Sequence, residues 1–171
     1  MQVVKNILIS LFALYFALLL FMPKKSLYYG IEKELLKYDI KLNEVQIEES
    51  FMALKIKEVS GYVKGIHLFS IDEIVFSTGL FFTDIELHGL EIDASLSKLV
   101  PPTVERISLH HSILSALFLD LDAKGVFGEV TARVNMLERT VHVDVNDTSK
   151  LEMLKPWLKK GEKGWFYEKS F

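Results

Sequence analysis

The sequence predicts a mainly β protein in which an N-terminal transmembrane helix and a short amphipathic helix precede an antiparallel sheet. Three patterns indicate this fold class. An uncharged apolar run covers residues 7–22, apolar residues then recur at four-residue spacing, and after Tyr38 the hydrophobic period becomes two for about a hundred residues. In a chain of 171 residues, we therefore expect one β domain behind an apolar start.

Residues 1–25 are predicted to form a transmembrane anchor. Counted from Val3, with the Lys5 ammonium at the membrane interface, the apolar run forms a helix of about 30 Å, which matches the hydrocarbon core of a bilayer. A cleaved signal peptide and a buried core helix are the alternatives, but residues 21–23 offer no small side chain for a cleavage site. The prediction is a single-pass protein with its domain outside, although the lysines after the run favour the opposite orientation.

Residues 26–39 are predicted to form a short amphipathic helix. Leu27, Ile31 and Leu35 recur every four residues, which places them on one side of a helix. This helix either lies on a membrane surface, held there by Tyr28 and its neighbour Tyr29, or packs on the domain that follows.

Residues 40–171 are predicted to form the antiparallel β domain. Apolar and polar residues alternate in successive runs, and the links between runs are too short for parallel crossovers, so we expect a meander of seven to nine strands. The alternation slips at Gly89, which predicts a β-bulge. Near the C-terminus, Ser149 and Glu152 have the spacing of a capping box, which predicts a short helix near residues 149–159.

Composition and motifs argue against catalysis and nucleic-acid binding. The formal net charge is −3 and the chain has no cysteine, so neither a basic surface nor a thiol site is expected. His110 and His111 are adjacent, and on a strand they would face opposite sides of the sheet. No nucleophile elbow or nucleotide-binding loop is present. We therefore predict a protein that is not an enzyme, with no cofactor and no metal.

The order of these features resembles that of the type II secretion system protein N family and its AsmA-like relatives. The matching features are the anchor ending in FMPKKSLYYGIEKELLKYDIKL, the first helix, the alternating strands of VFGEVTARVNMLERTVHVDV and the late KGWFYEKSF. The resemblance implies a bacterial inner-membrane protein whose periplasmic domain is a curved antiparallel sheet, shaped like a half-open taco or a partial barrel. It also implies a role in secretion or in handling lipid between membranes.

Two functions from different classes follow. In the first, the domain is an assembly or accessory component of a secretion system that binds partner proteins through its sheet edges or through the aromatic residues Trp165, Phe166 and Tyr167. The same three aromatic residues are also typical of ordinary sheet packing.

In the second, the domain binds or transfers membrane lipid in an apolar groove on one face of the sheet. The residues predicted to line this groove are Leu117, Leu119, Leu121, Val130, Val134, Val141 and Val143. The alternative is that the same residues form a closed core, because one dry sheet face must be covered in some way.

Overall fold

The computed structural model describes residues 2–20, 24–79, 81–96, 101–147, 151, 155–161 and 164–171. The two helices in this part are α1 (Gln2–Leu20) and α2 (Lys24–Leu36). The strands are β1 (Ile40–Asn43), β2 (Gln46–Glu49), β3 (Ala53–Val63), β4 (Ile66–Thr78), β5 (Phe82–Ile92), β6 (Thr103–Ser112), β7 (Phe118–Gly125), β8 (Gly128–Asn135), β9 (Thr140–Val145), β10 (Lys159–Gly161) and β11 (Gly164–Ser170). Single 3-10 turns lie at Ala94–Leu96, Ile113–Ser115 and Lys155–Trp157.

The transmembrane helix in the predicted fold class is wrong, and so is the predicted location that depends on it. Within the described residues, no helix is long and apolar enough to cross a membrane. The uncharged part of α1, residues 7–20, extends for about 21 Å at 1.5 Å per residue, against a hydrocarbon core of about 30 Å. The predicted span of about 30 Å ran from Val3 to residue 22, and residues 21 and 22 lie outside the described part. The predicted anchor over residues 1–25 and the single-pass location in a bacterial inner membrane, with the domain in the periplasm, are therefore corrected.

α2 packs on the sheet through a side that the apolar spacing did not indicate. Tyr28 is buried against β3 and β4, whereas Leu27 and Ile31 of the predicted stripe are exposed. The Tyr28 hydroxyl donates a hydrogen bond to Glu44, with 3.2 Å between the two oxygens. Burial first, and then the Glu44 carboxylate, raise the pKa of Tyr28 above the ordinary value of a tyrosine.

The strands form one open antiparallel sheet of eleven strands. Its order is β1-β3-β4-β5-β6-β7-β8-β9-β11-β10, and β2 also pairs with β3. From β3 to β9 each strand pairs with the next one in the chain, as expected for a meander, but the predicted number of seven to nine strands is wrong because the described residues form eleven. Of the helix predicted near residues 149–159, residues 149, 150 and 152–154 lie outside the described part, Lys155–Trp157 forms one 3-10 turn, and Lys159 begins β10.

A line of interrupted pairing crosses β3 to β6. At this level of the sheet, one residue on each of these strands has no partner in the strand register: Glu58, Asp72, Gly89 and Glu105. Glu58 and Gly89 have positive φ angles of 52° and 63°, and the register of β6 against β7 shifts at the same level. Bulges and left-handed residues bend strands and increase their twist, so this line is where the sheet bends.

Two apolar clusters cover the same face of the sheet. The first lies on β3 and β4 under α2 and contains Tyr28, Leu54, Ile56, Val59 and Ile71. The second lies further across the sheet, toward its C-terminal strands, and contains Val104, Phe127, Val145 and Leu151. Helix α2 covers the first cluster, and Phe127 and Leu151 from connecting segments cover the second.

Gly61 is predicted to be a site where even a methyl group destabilises the fold. It lies opposite Phe69 on β4, and a Cβ atom at Gly61 would stand 2.1 Å from the Phe69 ring. We expect Gly61→Ala to lower the free energy of unfolding by about 2 kcal/mol, because the ring must leave its place.

The matched control is the same substitution in α2, measured by chemical denaturation. Gly30 has no atom within 4 Å of a Cβ position, so Gly30→Ala should raise the free energy of unfolding by about 0.5–1 kcal/mol. Equal effects of the two substitutions would contradict the packing described for Gly61.

Candidate functional site

The C-terminal half of the apolar face holds a cavity of about 510 Å³. This volume lies within the range of about 300–1,000 Å³ that is typical of ligand sites. The cavity is lined by Ile92, Pro101, Val104, Ile107, Ala123, Phe127, Val130, Val143, Val145, Leu151, Trp157, Leu158 and Tyr167.

The floor of the cavity is built from residues in register on neighbouring strands. Ile107 lies opposite Ala123, Ala123 opposite Val130, and Val130 opposite Val145. Alternation places their side chains on one face, and the methyl group of Ala123 leaves space between its larger neighbours. Residues from β5 to β11 line this one cavity, so this half of the sheet is concave.

The cavity is covered by the turn between β7 and β8 and by residues that follow β9. Phe127, in that turn, and Leu151 are each 6% exposed, and Leu158 packs beside them. Trp157 also lines the cavity but is 69% exposed. The indole therefore lies at the opening of the cavity, where one of its surfaces faces solvent.

The chemistry of the lining is almost wholly apolar. Among the lining residues that the structure describes, no side chain carries a charge, and the polar groups are the Tyr167 hydroxyl and the Trp157 indole N–H. The described lining residues supply no carboxylate, imidazole, amine or thiol group. Such a lining can bind an apolar group by removing that group from water.

The predicted groove residues lie on this face, but they do not all line the cavity. Val130 and Val143 are part of the lining. Leu119, Leu121, Val134 and Val141 are half-buried further along the same face, and Leu117 is exposed at its edge. The face thus remains apolar beyond the cavity. The binding role of these seven residues stays a prediction.

The three C-terminal aromatic residues do not share one surface. Trp165 packs against the second apolar cluster and Tyr167 lines the cavity. Phe166 lies on the opposite face, where its ring stacks on His142 with 5.4 Å between the ring centroids. All three are half-buried in β11, so they do not form one exposed patch. Their role as a partner contact stays a prediction.

The opposite face carries a row of acidic, arginine and histidine side chains across six adjacent strands. In register order the row is Asp84, His110, Asp120, Arg133, His142 and Glu168. Arg133 donates to Asp120 over 2.6 Å, His142 pairs with Glu168, and His110 pairs with Asp84. The hydrogen bond and charge of Asp120 raise the pKa of Arg133. Neighbouring opposite charges explain this row as a solvated, ion-paired surface.

Metal ligands are not assembled on this surface. Within the described ranges, no group of three or more histidine, aspartate or glutamate side chains could hold a metal ion. His111 faces the other side of the sheet from His110, since its strand partner is Leu119 of the apolar face.

Comparisons with family models, with curated proteins and with solved structures gave no match. The resemblance to the protein N family and its AsmA-like relatives therefore stays a prediction. The candidate function rests on the geometry of this chain.

Several cavity residues were missed by the sequence analysis. Phe127 and Leu151 lie in connecting segments, and Ile107 and Val104 lie on a strand that was predicted but not assigned to the groove. A signal was present for Phe127, because Val126 and Phe127 are apolar residues in a hairpin turn, where polar residues are usual. No comparable signal in the sequence brings Leu151 back onto the sheet.

Proposed function

We propose that this protein is a non-catalytic lipid-binding module that holds an acyl chain in the apolar cavity between β5 and β11. The observation that carries the proposal is the lining: within the described part of the chain, thirteen residues surround about 510 Å³ without one charged side chain. An acyl chain needs no hydrogen-bond partner along its length, so it matches a site that offers almost none.

The expected affinity follows from the number of methylene groups that leave water. Burial contributes about 0.8 kcal/mol per methylene, so about fourteen methylenes supply about 11 kcal/mol. Association costs at least about 4 kcal/mol, which leaves at most about 7 kcal/mol. That upper limit corresponds to a dissociation constant of about 10 µM, and a larger association cost gives weaker binding.

The edges of the sheet favour lipid binding over the assembly role as the function to propose. Strand addition by a partner needs an accessible edge. β10 is three residues long and begins with Lys159 and Lys160, and short lysine-bearing edge strands resist pairing. At the other edge, α2 contacts β1, and β2, which within the described residues pairs only with β3, is four residues long.

The test uses the two tryptophans of the chain as reporters. Trp157 lines the cavity and Trp165 packs against the cluster beneath it, and the sequence has no other tryptophan. We expect 9,10-dibromostearate, titrated into the full chain below its micelle concentration, to quench tryptophan fluorescence at about one ligand per chain. Unbrominated stearate should compete.

The design separates the cavity from α1, which carries exposed apolar residues but no tryptophan. Fatty acid on α1 alone would leave the fluorescence unchanged. A titration that does not saturate, or quenching that stearate cannot reverse, would overturn the proposal.

A further inference from the structure

A second apolar surface lies away from the cavity, at one of the two ends of the sheet where turns join the strands. The turns that join β2 to β3, β4 to β5, β6 to β7 and β8 to β9 all fall at this end, as does the chain after β11. Each presents an exposed large apolar side chain. We name this surface the apolar rim and define it by Phe51, Phe81, Ile113, Leu114, Leu137 and Phe171.

The exposure of the rim is high for residues of this kind. Leu114 is 88% exposed and Leu137 is 72% exposed. Single exposed apolar residues are common on protein surfaces, but a group of them at successive turns marks an interaction site. Turns at the other end of the sheet contain charged residues, as Lys64 and Asp93 show.

Three backbone amides at the rim are hydrogen-bonded within the protein. The Thr78 amide donates to Met52, Ile113 to Phe81, and Met136 to Leu117, and each of these bonds is 2.8 Å long. They join neighbouring turns across the end of the sheet. Backbone groups that are paired in this way do not lose hydrogen bonds to water when the turns enter an apolar medium.

Charge distinguishes a lipid surface from a protein partner. Residues 50–52, 79–82 and 112–118 contain no charged side chain, and Glu138 and Arg139 of the β8–β9 turn have opposite charges. A protein interface usually has polar groups that fix its register. The hydrocarbon of a bilayer accommodates apolar side chains, and most of the large side chains in these turns are apolar.

The rim is also continuous with the apolar face that holds the cavity. Along β8, Val130 lines the cavity, Val134 follows on the same face, and Met136 lies in the turn at the rim. Six residues of strand cover about 20 Å. An apolar path of that length therefore joins the cavity to the rim.

We infer that the apolar rim inserts into the surface of a lipid bilayer and holds the protein there through its turns. The inference concerns a surface contact and is independent of acyl-chain binding in the cavity. Its consequence for the proposed function is a short path between a bilayer and the site.

The test places one fluorescent label at a time on the full chain, which has no cysteine of its own. An environment-sensitive dye is attached at Leu114→Cys in the rim and, as the matched control, at Ile66→Cys, which is 66% exposed at the other end of the sheet. Both positions are exposed, so neither label disturbs the core. Vesicles of dioleoylphosphatidylcholine are prepared with and without a lipid that carries a nitroxide in its acyl chain.

We expect the label at Leu114→Cys to be quenched at least twofold by the nitroxide lipid, and the label at Ile66→Cys to be unaffected. Vesicle binding with neither label quenched would overturn the inference and point to attachment through another segment, such as α1. Absence of vesicle binding would also overturn it. A change at Leu114→Cys that follows protein concentration without vesicles would instead show a second copy of the chain on the rim.

The two proposals can fail separately. Dibromostearate reports on the cavity through tryptophan, and the nitroxide lipid reports on the rim through the label. Leu114→Asp should reduce vesicle binding at least tenfold and leave dibromostearate binding unchanged.

Discussion

Filling the cavity with one larger side chain should abolish acyl-chain binding while the fold persists. Ala123 lies at the centre of the cavity floor, between Ile107 and Val130. In Ala123→Phe the added ring would occupy space that the ligand needs. We expect dibromostearate affinity to fall at least tenfold, and the free energy of unfolding to change by less than about 1 kcal/mol because the ring enters empty apolar space.

The control adds the same bulk outside the cavity. Val126 is 43% exposed in the turn beside Phe127 and does not line the site, so Val126→Phe should bind dibromostearate as the unaltered chain does. If both variants keep full affinity, the ligand does not lie over Ala123 and the assigned site is wrong.

The largest loss of stability is expected in the cluster under α2. Val59 is 0% exposed and lies among Leu54, Ile56 and Ile71. In Val59→Asp the carboxyl group would lose its hydration without gaining a partner. We expect the free energy of unfolding to fall by about 4 kcal/mol or more, which is enough to unfold many domains of this size at room temperature.

The comparison variant is Leu119→Asp, measured by chemical denaturation beside Val59→Asp. Leu119 is half-buried on the same face but nearer the rim. Its carboxylate can reach water, so the expected loss is about 1–2 kcal/mol. A loss at Leu119 as large as that at Val59 would mean that the whole face is one closed core, and it would remove the case for an accessible apolar surface.

Alternation in the sequence predicts the central strands well. In β8 and β9, polar residues alternate with apolar ones from Val130 to Val134 and from Val141 to Val145, and the structure pairs these strands in register with the apolar residues on one face. The alternation is strong here because one face is dry and the other carries the row of acidic, arginine and histidine side chains. β2 and β10 have four and three residues, too few for a period to be recognised.

The helices show where local patterns fail. The four-residue spacing of Leu27 and Ile31 predicts the apolar side of α2, but the helix packs through Tyr28. In that place the ring of Tyr28 packs among apolar side chains, and its hydroxyl donates a hydrogen bond to Glu44. Four-residue spacing shows which residues share one side of a helix, but tertiary contacts decide which side packs on the sheet.

Only part of the candidate site can be predicted from the sequence, for a related reason. Its floor consists of strand residues, and alternation indicates which face they occupy. Its cover consists of Phe127, Leu151 and Leu158, which are brought onto the sheet by connecting segments. Whether a dry face is closed or left accessible depends on such segments, and residue spacing along strands does not encode their position.

The most direct test of the central claim is to find where an acyl chain attaches. The full chain is incubated with a fatty acid that carries a photoactivatable diazirine at mid-chain, irradiated, digested and mapped by mass spectrometry. Lipid binding in the cavity predicts crosslinks on β6 to β9 near Ile107, Ala123 and Val130, and predicts their loss in Ala123→Phe. Crosslinks confined to α1 or to the apolar rim, with none on the cavity floor, would contradict it.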